Sequence, residues 1–266
     1  MNFAIIGLGF ISGRHIQAME DVGGKLLIAC DIDENKKHKA KGAAFYTNWL
    51  DIFNDKKFPE VEYVAICTPN NFHYSMTKAF CKANKKVICE KPIVIDIHDL
   101  LDLKRYEKQI SCVLQLRYNE ELIEYKKNLK GNHVADFAVC VHRDDWYFQS
   151  WKNKKEQSGG LAFNIGAHYF DLLCWFFGRS TNGKKVFDGQ KVTKGHVTFP
   201  EAKANFHISI NQPIDNQYRY LRVDNDELDL TKHFEGLHTK VYQNIINGKS
   251  IRLSDIQDSI ELISNL

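Results

Sequence analysis

Asn2-Phe3-Ala4-Ile5-Ile6-Gly7-Leu8-Gly9-Phe10-Ile11-Ser12 carries a short apolar strand into a glycine-spaced turn and on into a helix. A dinucleotide site needs that order. Gly7 permits the tight turn, Gly9 lets backbone approach a pyrophosphate with no side chain between, and the small Ser12 stands where a third glycine would let helix pack on strand. The N–H groups of the helix start then face the phosphates. The competing reading is an ordinary strand-turn-helix with no ligand.

Asp31 weighs against that reading. It ends the next apolar run, Leu26 to Cys30, about twenty residues past the glycines, where the second parallel strand of such a unit finishes. A carboxylate there accepts the adenosine ribose hydroxyls and repels a 2′-phosphate, so NAD is favoured over NADP. The alternative leaves Asp31 or Asp33 only a helix-capping role.

Length and charge narrow the class. With 266 residues and 44% hydrophobic content, the chain suffices for two modest domains. The near balance of 36 basic and 33 acidic side chains, net +3, leaves no footprint for nucleic acid or an anionic membrane. Met1 leads at once into the strand, with no secretory leader and no long apolar span, so a cytoplasmic location is expected. Seven scattered cysteines lack any C-x-x-C pair and sit mostly in apolar runs, which reads as buried reduced thiols, and no His/Cys cluster has zinc spacing.

Apolar runs at 2–6, 25–30, 62–67, 86–89 and 111–116 alternate with helix-length amphipathic segments, as in a parallel sheet with crossover helices. Thr68-Pro69-Asn70-Asn71 breaks the third run and opens a helix, and another helix is expected over 96–108. Beyond Arg117 the texture changes. A helix over 120–129, a strand over 134–141, a polar aromatic loop over 143–160 and a helix from about Leu161 are followed by extended segments from 184 to 224. Alternation of Ala202, Ala204, Phe206, Ile208 and Ile210 with polar residues predicts a sheet whose apolar face packs on the long helix. Helical patterns near 236–247 and 254–264 close the chain. The expected fold class is α/β, with a Rossmann dinucleotide-binding domain over 1–117 and an α+β domain with an open, mostly antiparallel sheet over 118–266.

Two motifs carry candidate chemistry. Glu90-Lys91-Pro92 ends a parallel strand, at the edge where open α/β sheets bind ligands, and a lysine there could exchange the proton of a substrate hydroxyl if burial lowers its pKa. A solvated turn lysine is the plainer reading. In Asn164-x-Gly166-x-His168-x-x-Asp171, helical spacing places Asn164, His168 and Asp171 on one face. Asp171 would then fix the tautomer of His168, either for a substrate hydroxyl or simply as a satisfied core pair. The loop Arg143 to Lys152 packs four aromatics beside charges, as a cover over a site or as a protein interface. Arg117 reads as an anion contact or an ion pair.

Together these motifs, with His73 and Gly159-Gly160, resemble the glucose-fructose oxidoreductase / inositol dehydrogenase family over nearly the whole chain. The resemblance implies that Lys91 and His168 flank the reacting carbon, with Asn164 in place of the family's usual first Asp. Cofactor contacts would be Gly7, Gly9, Phe10, Ile11, Asp31, Thr68, Pro69, Asn70, His73, Glu90, Lys91 and Trp151. Substrate contacts would be Arg117, Tyr147, Lys152, Asn164, His168 and Asp171. Trp146 to Lys152 and Leu237-His238-Thr239-x-Val241-Tyr242 look most like the subgroup that oxidises the 3-hydroxyl of UDP-N-acetylglucosaminuronic acid for bacterial lipopolysaccharide. That implies NAD as cofactor, a UDP-sugar as substrate, 2-oxoglutarate as a candidate hydride acceptor, and a homo-oligomer, dimer or tetramer. The rivals are an NAD-dependent glycosidase working by transient oxidation on the same scaffold, and a non-catalytic NAD-binding sensor.

Overall fold

The computed structural model describes residues 1–228, 230 and 236–266. The apolar runs of the first 112 residues become β1 (Asn2–Ile6), β2 (Lys25–Cys30), β3 (Ala44–Tyr46), β4 (Tyr63–Ile66), β5 (Lys86–Cys89) and β6 (Ile110–Cys112). They pair in parallel in the order β3-β2-β1-β4-β5-β6. Helices α1 (Ser12–Asp21), α2 (Asn70–Lys82) and α3 (Ile97–Leu103) lie on the crossovers. Covered on both faces, the central strands need apolar residues at every position, and Ala4, Ile5, Val64, Ala65, Val87 and Ile88 are fully buried. The chain order reverses between β1 and β4, which opens a crevice at the carboxyl ends of those strands.

The second unit begins with α4 (Glu120–Asn128), which starts where it does because Asn119 Oδ1 accepts the N–H groups of Glu121 and Leu122. Strand β7 (His133–Cys140) follows, then α5 (Asp145–Gln149), α6 (Lys155–Ser158), α7 (Gly160–Asn164) and α8 (Ala167–Phe177). Strands β8 (Asn182–Asp188), β9 (Val192–Phe199), β10 (Ala202–Ser209), β11 (Tyr218–Val223) and β12 (Asp226–Leu228) complete a sheet in the order β12-β11-β7-β10-β9-β8. It is antiparallel except where β7 meets β10. Its apolar face packs on α8 as the alternation over 202–210 required: Phe170 meets Phe206 at 5.1 Å and Phe137 at 5.0 Å, edge to face. Burying each such ring contributes about 1.5–3 kcal/mol.

Helices α9 (Leu237–Ile246) and α10 (Leu253–Asn265) close the chain, and α9 turns back onto the first sheet. Its Val241, Tyr242 and Ile245 join the cluster of Phe3, Ile5, Ile16 and Met19. Thr239 Oγ1 donates to Asp21 at the end of α1. Among the described residues no helix is long and apolar enough to cross a membrane.

The structure departs from the sequence reading in four places. The helix expected over 96–108 stops at Leu103 and continues as a 3-10 turn, and the strand expected over 111–116 ends at Cys112, before a 3-10 turn over Gln115–Tyr118. The 143–160 loop contains two short helices and a 3-10 turn. The helix beginning near Leu161 is broken: the N–H groups of Ile165 and Gly166 both reach back to Leu161 O, and α8 starts afresh at Ala167. Gly166 permits this close seat on the sheet, since a Cβ there would come within 2.7 Å of Ile208 Cδ1.

Candidate active site

The turn after β1 is built for backbone exposure. Gly7 has φ +93°, and a Cβ on it would come within 2.6 Å of Cys67 O, so only glycine fits. Gly9 differs: a Cβ there would meet no atom of the described residues within 4 Å, so its bareness leaves the approach to α1 open. No side chain caps α1, so its first N–H groups lack side-chain acceptors. Ser12 is buried and donates to Gly9 O at 2.7 Å, taking the close-packing place of a third glycine. Phe10 lies almost wholly exposed beside it. This cradle fits a dinucleotide pyrophosphate.

Asp31 ends β2 beside the turn, accepting the Leu8 N–H at 2.7 Å and the Asp33 N–H at 2.9 Å, with Lys36 Nζ 3.1 Å from both its oxygens. Asp33, in turn, caps the following 3-10 helix through the Asn35 N–H, so the capping role falls to it and not to Asp31.

Two residues read as cofactor contacts bond within the framework. His73 is buried, with Nδ1 2.7 Å from Pro92 O and Nε2 2.8 Å from Thr68 O, so it joins the turn after β4 to the turn after β5. Asn70 is also buried and donates to Ser158 O across the two units. Cys67 and Cys89 have thiols pushed well above the ordinary range by burial, which removes them as thiolate nucleophiles.

The Lys91 amine donates to Asn164 O at 3.3 Å and lines a cavity of about 480 Å³ together with Tyr147, Lys152, Asn164 and His168. Asn164 Nδ2 donates to Tyr147 Oη at 3.0 Å, tying the end of α7 to the aromatic loop. Burial lowers the Lys91 amine below its ordinary value, opposed by the charge of Glu90. Burial likewise takes His168 down to about 3, with the Lys91 charge adding to the fall and Glu90 and His238 as smaller effects. A neutral imidazole and an amine whose pKa burial lowers therefore share one cavity.

Arg143 and Arg219 also wall this cavity, and sequence reasoning did not pick them out. Among the described residues the buried Arg143 Nε has no hydrogen-bond partner, and burial lowers the pKa of this guanidinium, with nearby Arg219 pushing the same way. Among the described residues no carboxylate lines the cavity, while the cationic side chains of Lys91, Arg143, Lys152 and Arg219 converge on it.

Arg117 and Asp171 do not face this space. Arg117 Nε and Nη2 donate to the two carboxylate oxygens of Asp171 at 2.9 and 2.7 Å, and the Ser259 hydroxyl lies 3.4 Å from one of them. Both side chains are buried. The break at 165–166 separates Asn164 from the face of α8, and the guanidinium takes both Asp171 oxygens, so Asp171 does not orient His168. His168 Nδ1 is buried without a partner among the described residues. Trp151 stands on the 3-10 turn over Trp151–Asn153, beside Lys152, outside the lining of the cavity.

Beneath the cleft, Glu90 gathers two histidines from distant parts of the chain. His15 Nε2 lies 2.9 Å and His238 Nε2 3.5 Å from Glu90 Oε1, and His15 Nδ1 lies 2.9 Å from Tyr242 Oη. The three side chains place one nitrogen or oxygen each within 4.8 Å of one another, a grouping that spacing along the sequence does not reveal.

The chain is similar to known proteins along nearly its whole length. The model of an oxidoreductase family with an NAD-binding Rossmann fold matches residues 1–118, and that of its C-terminal alpha/beta domain matches 133–263. The chain is 25% identical over 237 residues to an inositol 2-dehydrogenase/D-chiro-inositol 3-dehydrogenase of Lactiplantibacillus plantarum, covering 81% of this chain and 66% of that protein. Against an uncharacterized oxidoreductase of Synechocystis the covered shares are 67% and 52%, so the chain spans about half to two thirds of these relatives. The WlbA (WbpB) dehydrogenase of Thermus thermophilus, solved with NAD and alpha-ketoglutarate, superimposes with a TM-score of 0.93 at 29% identity, covering 99% of this chain and 94% of that one. The same enzyme with NAD and UDP-GlcNAcA gives 0.92 at 28%, with the same coverage. With both domain models matched in order and the glycine cradle in place, the chain belongs to the glucose-fructose oxidoreductase / inositol dehydrogenase / MocA family of NAD-binding oxidoreductases.

Proposed function

We propose that the protein oxidises the 3-hydroxyl of a UDP-sugar, UDP-N-acetylglucosaminuronic acid, with NAD+ as the oxidant. One observation carries the reading: Lys91 and His168 share a cavity whose walls also bear Arg143, Lys152 and Arg219 and no carboxylate among the described residues. Such a wall suits an anionic sugar nucleotide better than a neutral polyol. The likeness to the Thermus thermophilus enzyme holding NAD with UDP-GlcNAcA supports the same substrate class.

In this scheme Gly7, Gly9, Phe10 and Ile11 hold the pyrophosphate at the start of α1, and Asp31 takes the adenosine ribose. Thr68, Pro69, Glu90, Lys91 and Trp151 border the nicotinamide end. Bound NAD+ supplies the hydride acceptor. Either His168, kept neutral by burial, or Lys91, with its lowered amine pKa, receives the single hydroxyl proton, and the other hydrogen-bonds the oxygen it leaves. Asn164 and Tyr147 fix the wall beside Lys91, and Arg143, Lys152 and Arg219 hold the substrate's negative charge. The 3-keto sugar formed would feed amination for surface polysaccharide. The Thermus thermophilus complex with alpha-ketoglutarate supports reoxidation of the reduced cofactor by 2-oxoglutarate. The exposed Val186 and Phe187 at the edge of the second sheet support pairing of subunits there.

The test is to incubate the purified protein with NAD+ and a panel of UDP-sugars, with and without 2-oxoglutarate, following the reduced-nicotinamide absorbance and the product mass. The expected result is a product two hydrogens lighter from the uronate. Release of free sugar without net reduction, or no reaction with any sugar nucleotide, would refute the assignment.

A further inference from the structure

We propose that Glu90 is a positioning residue for Lys91: its carboxylate, held by His15 and approached by His238, fixes the charge and the seat of the neighbouring amine from beneath the cleft. The inference rests on Lys91 being the proton-transferring lysine. Glu90 N–H continues the ladder of β5 onto Ile66 O, and Glu90 Oε2 accepts the Lys91 N–H at 3.2 Å, so the carboxylate is bonded to the backbone of the lysine it precedes. On its other oxygen stand the two imidazoles.

The tautomer follows from Tyr242. A phenol donating to His15 Nδ1 leaves the imidazole proton on Nε2, aimed at Glu90. An isolated carboxylate in such a place would take up a proton. Burial does push Glu90 upward, but the hydrogen bond from His15 and the close approach of His238 outweigh it and hold Glu90 well below the ordinary carboxylate range. The result is a fixed negative charge next to a buried amine. Tyr242 and His238 belong to α9, so the seat of Lys91 is tied through Glu90 to a helix some 150 residues further along the chain.

The other groups around the Lys91 amine cannot take this role. From α7 and α8 come Asn164 O and His168, from the aromatic loop Arg143, Tyr147 and Lys152, from β11 Arg219, and from α2 the buried ring of His73, whose pKa burial lowers. None of these is a carboxylate. Among the described residues, Glu90 is the negative charge acting on Lys91.

The test uses the full chain without substrate. The pH dependence of Lys91 acetylation by acetic anhydride, read by peptide mass, reports the amine directly. Glu90→Gln is expected to lower the midpoint by about one pH unit, a tenfold change in proton affinity. Glu90→Asp, which keeps the charge, should return the midpoint toward the parent value. The Lys91 limb of the kcat/KM profile should move the same way. A purely structural role would cost stability without moving the midpoint, and an unmoved midpoint in folded Glu90→Gln overturns the proposal. Should that variant fail to fold, the 13C shift of the Glu90 carboxyl in the parent decides: ionised throughout about pH 5–9 is expected, and a titration inside that window overturns it. Failure to turn over UDP-sugars would leave this labelling result standing, which separates the two claims.

Discussion

Replacing Asp171 by alanine should unfold the protein more readily without removing a group from the reaction. The carboxylate takes both hydrogen bonds of the Arg117 fork, and the two side chains are 4% and 9% exposed, so little water can compensate. Asp171→Ala strands the guanidinium with Asp255 O as its remaining hydrogen-bond acceptor. Breaking a buried pair from one side costs about 3–5 kcal/mol. Two charge-assisted hydrogen bonds, about 1.5–3 kcal/mol each, give a similar sum. In a chain of this size that lowers Tm by on the order of 10 °C. Replacing both partners with leucine removes the uncompensated charge, so the double variant should recover much of the loss. Urea denaturation gives the stability change, and kcat/KM per folded molecule should fall less than tenfold. An Asp171→Ala protein within about 1 kcal/mol of the parent but at least a hundredfold less active would refute this reasoning and return Asp171 to the reaction.

Other outcomes follow from the same geometry. Lys91→Ala and His168→Ala should each lower kcat by about 10²–10⁴ with folding retained, checked by steady-state kinetics beside circular dichroism. Arg143→Gln should raise KM for UDP-N-acetylglucosaminuronic acid by roughly 10- to 100-fold with kcat little changed, since a charge-assisted contact is lost. His168 has a folded pKa depressed from 6.5 to about 3, so the unfolded chain binds its proton first as the solution is acidified. Its contribution is therefore intact above pH 6.5 and stability drains away as pH falls from 6.5 toward about 3, which urea melts across that range should show as a loss absent from His168→Gln. An NMR titration of His168 between pH 6 and 7 would contradict the buried neutral ring.

Local signals were enough to find the first sheet. The strand, Gly7, Gly9 and Asp31 lie within one βαβ unit, and their geometry depends on turn chemistry that neighbouring residues decide. The placing of Lys91 at a strand end came from the same alternation of apolar runs. What spacing could not supply were partners chosen in three dimensions. Helical periodicity offered Asn164 and Asp171 to His168, but the break at Gly166 sets Asn164 apart and Arg117, 54 residues from Asp171, takes the carboxylate. Arg219 looks like any polar residue of an alternating strand until β11 is laid beside β7, where the aromatic loop begins. His15 and Tyr242 meet across 227 positions because α9 folds back on α1. The visible hint was His238 and Tyr242 one turn apart on the apolar side of an amphipathic helix.

The most direct measurement follows one atom. With UDP-N-acetylglucosaminuronic acid deuterated at C3 and excess NAD+, the reduced cofactor should carry the deuterium at C4 of its nicotinamide and the sugar should emerge as the 3-ketone, both lost together in Lys91→Ala and His168→Ala. Deuterium that stays on the sugar, or transfer that proceeds undiminished in both variants, would contradict the claim that Lys91 and His168 work on one carbon.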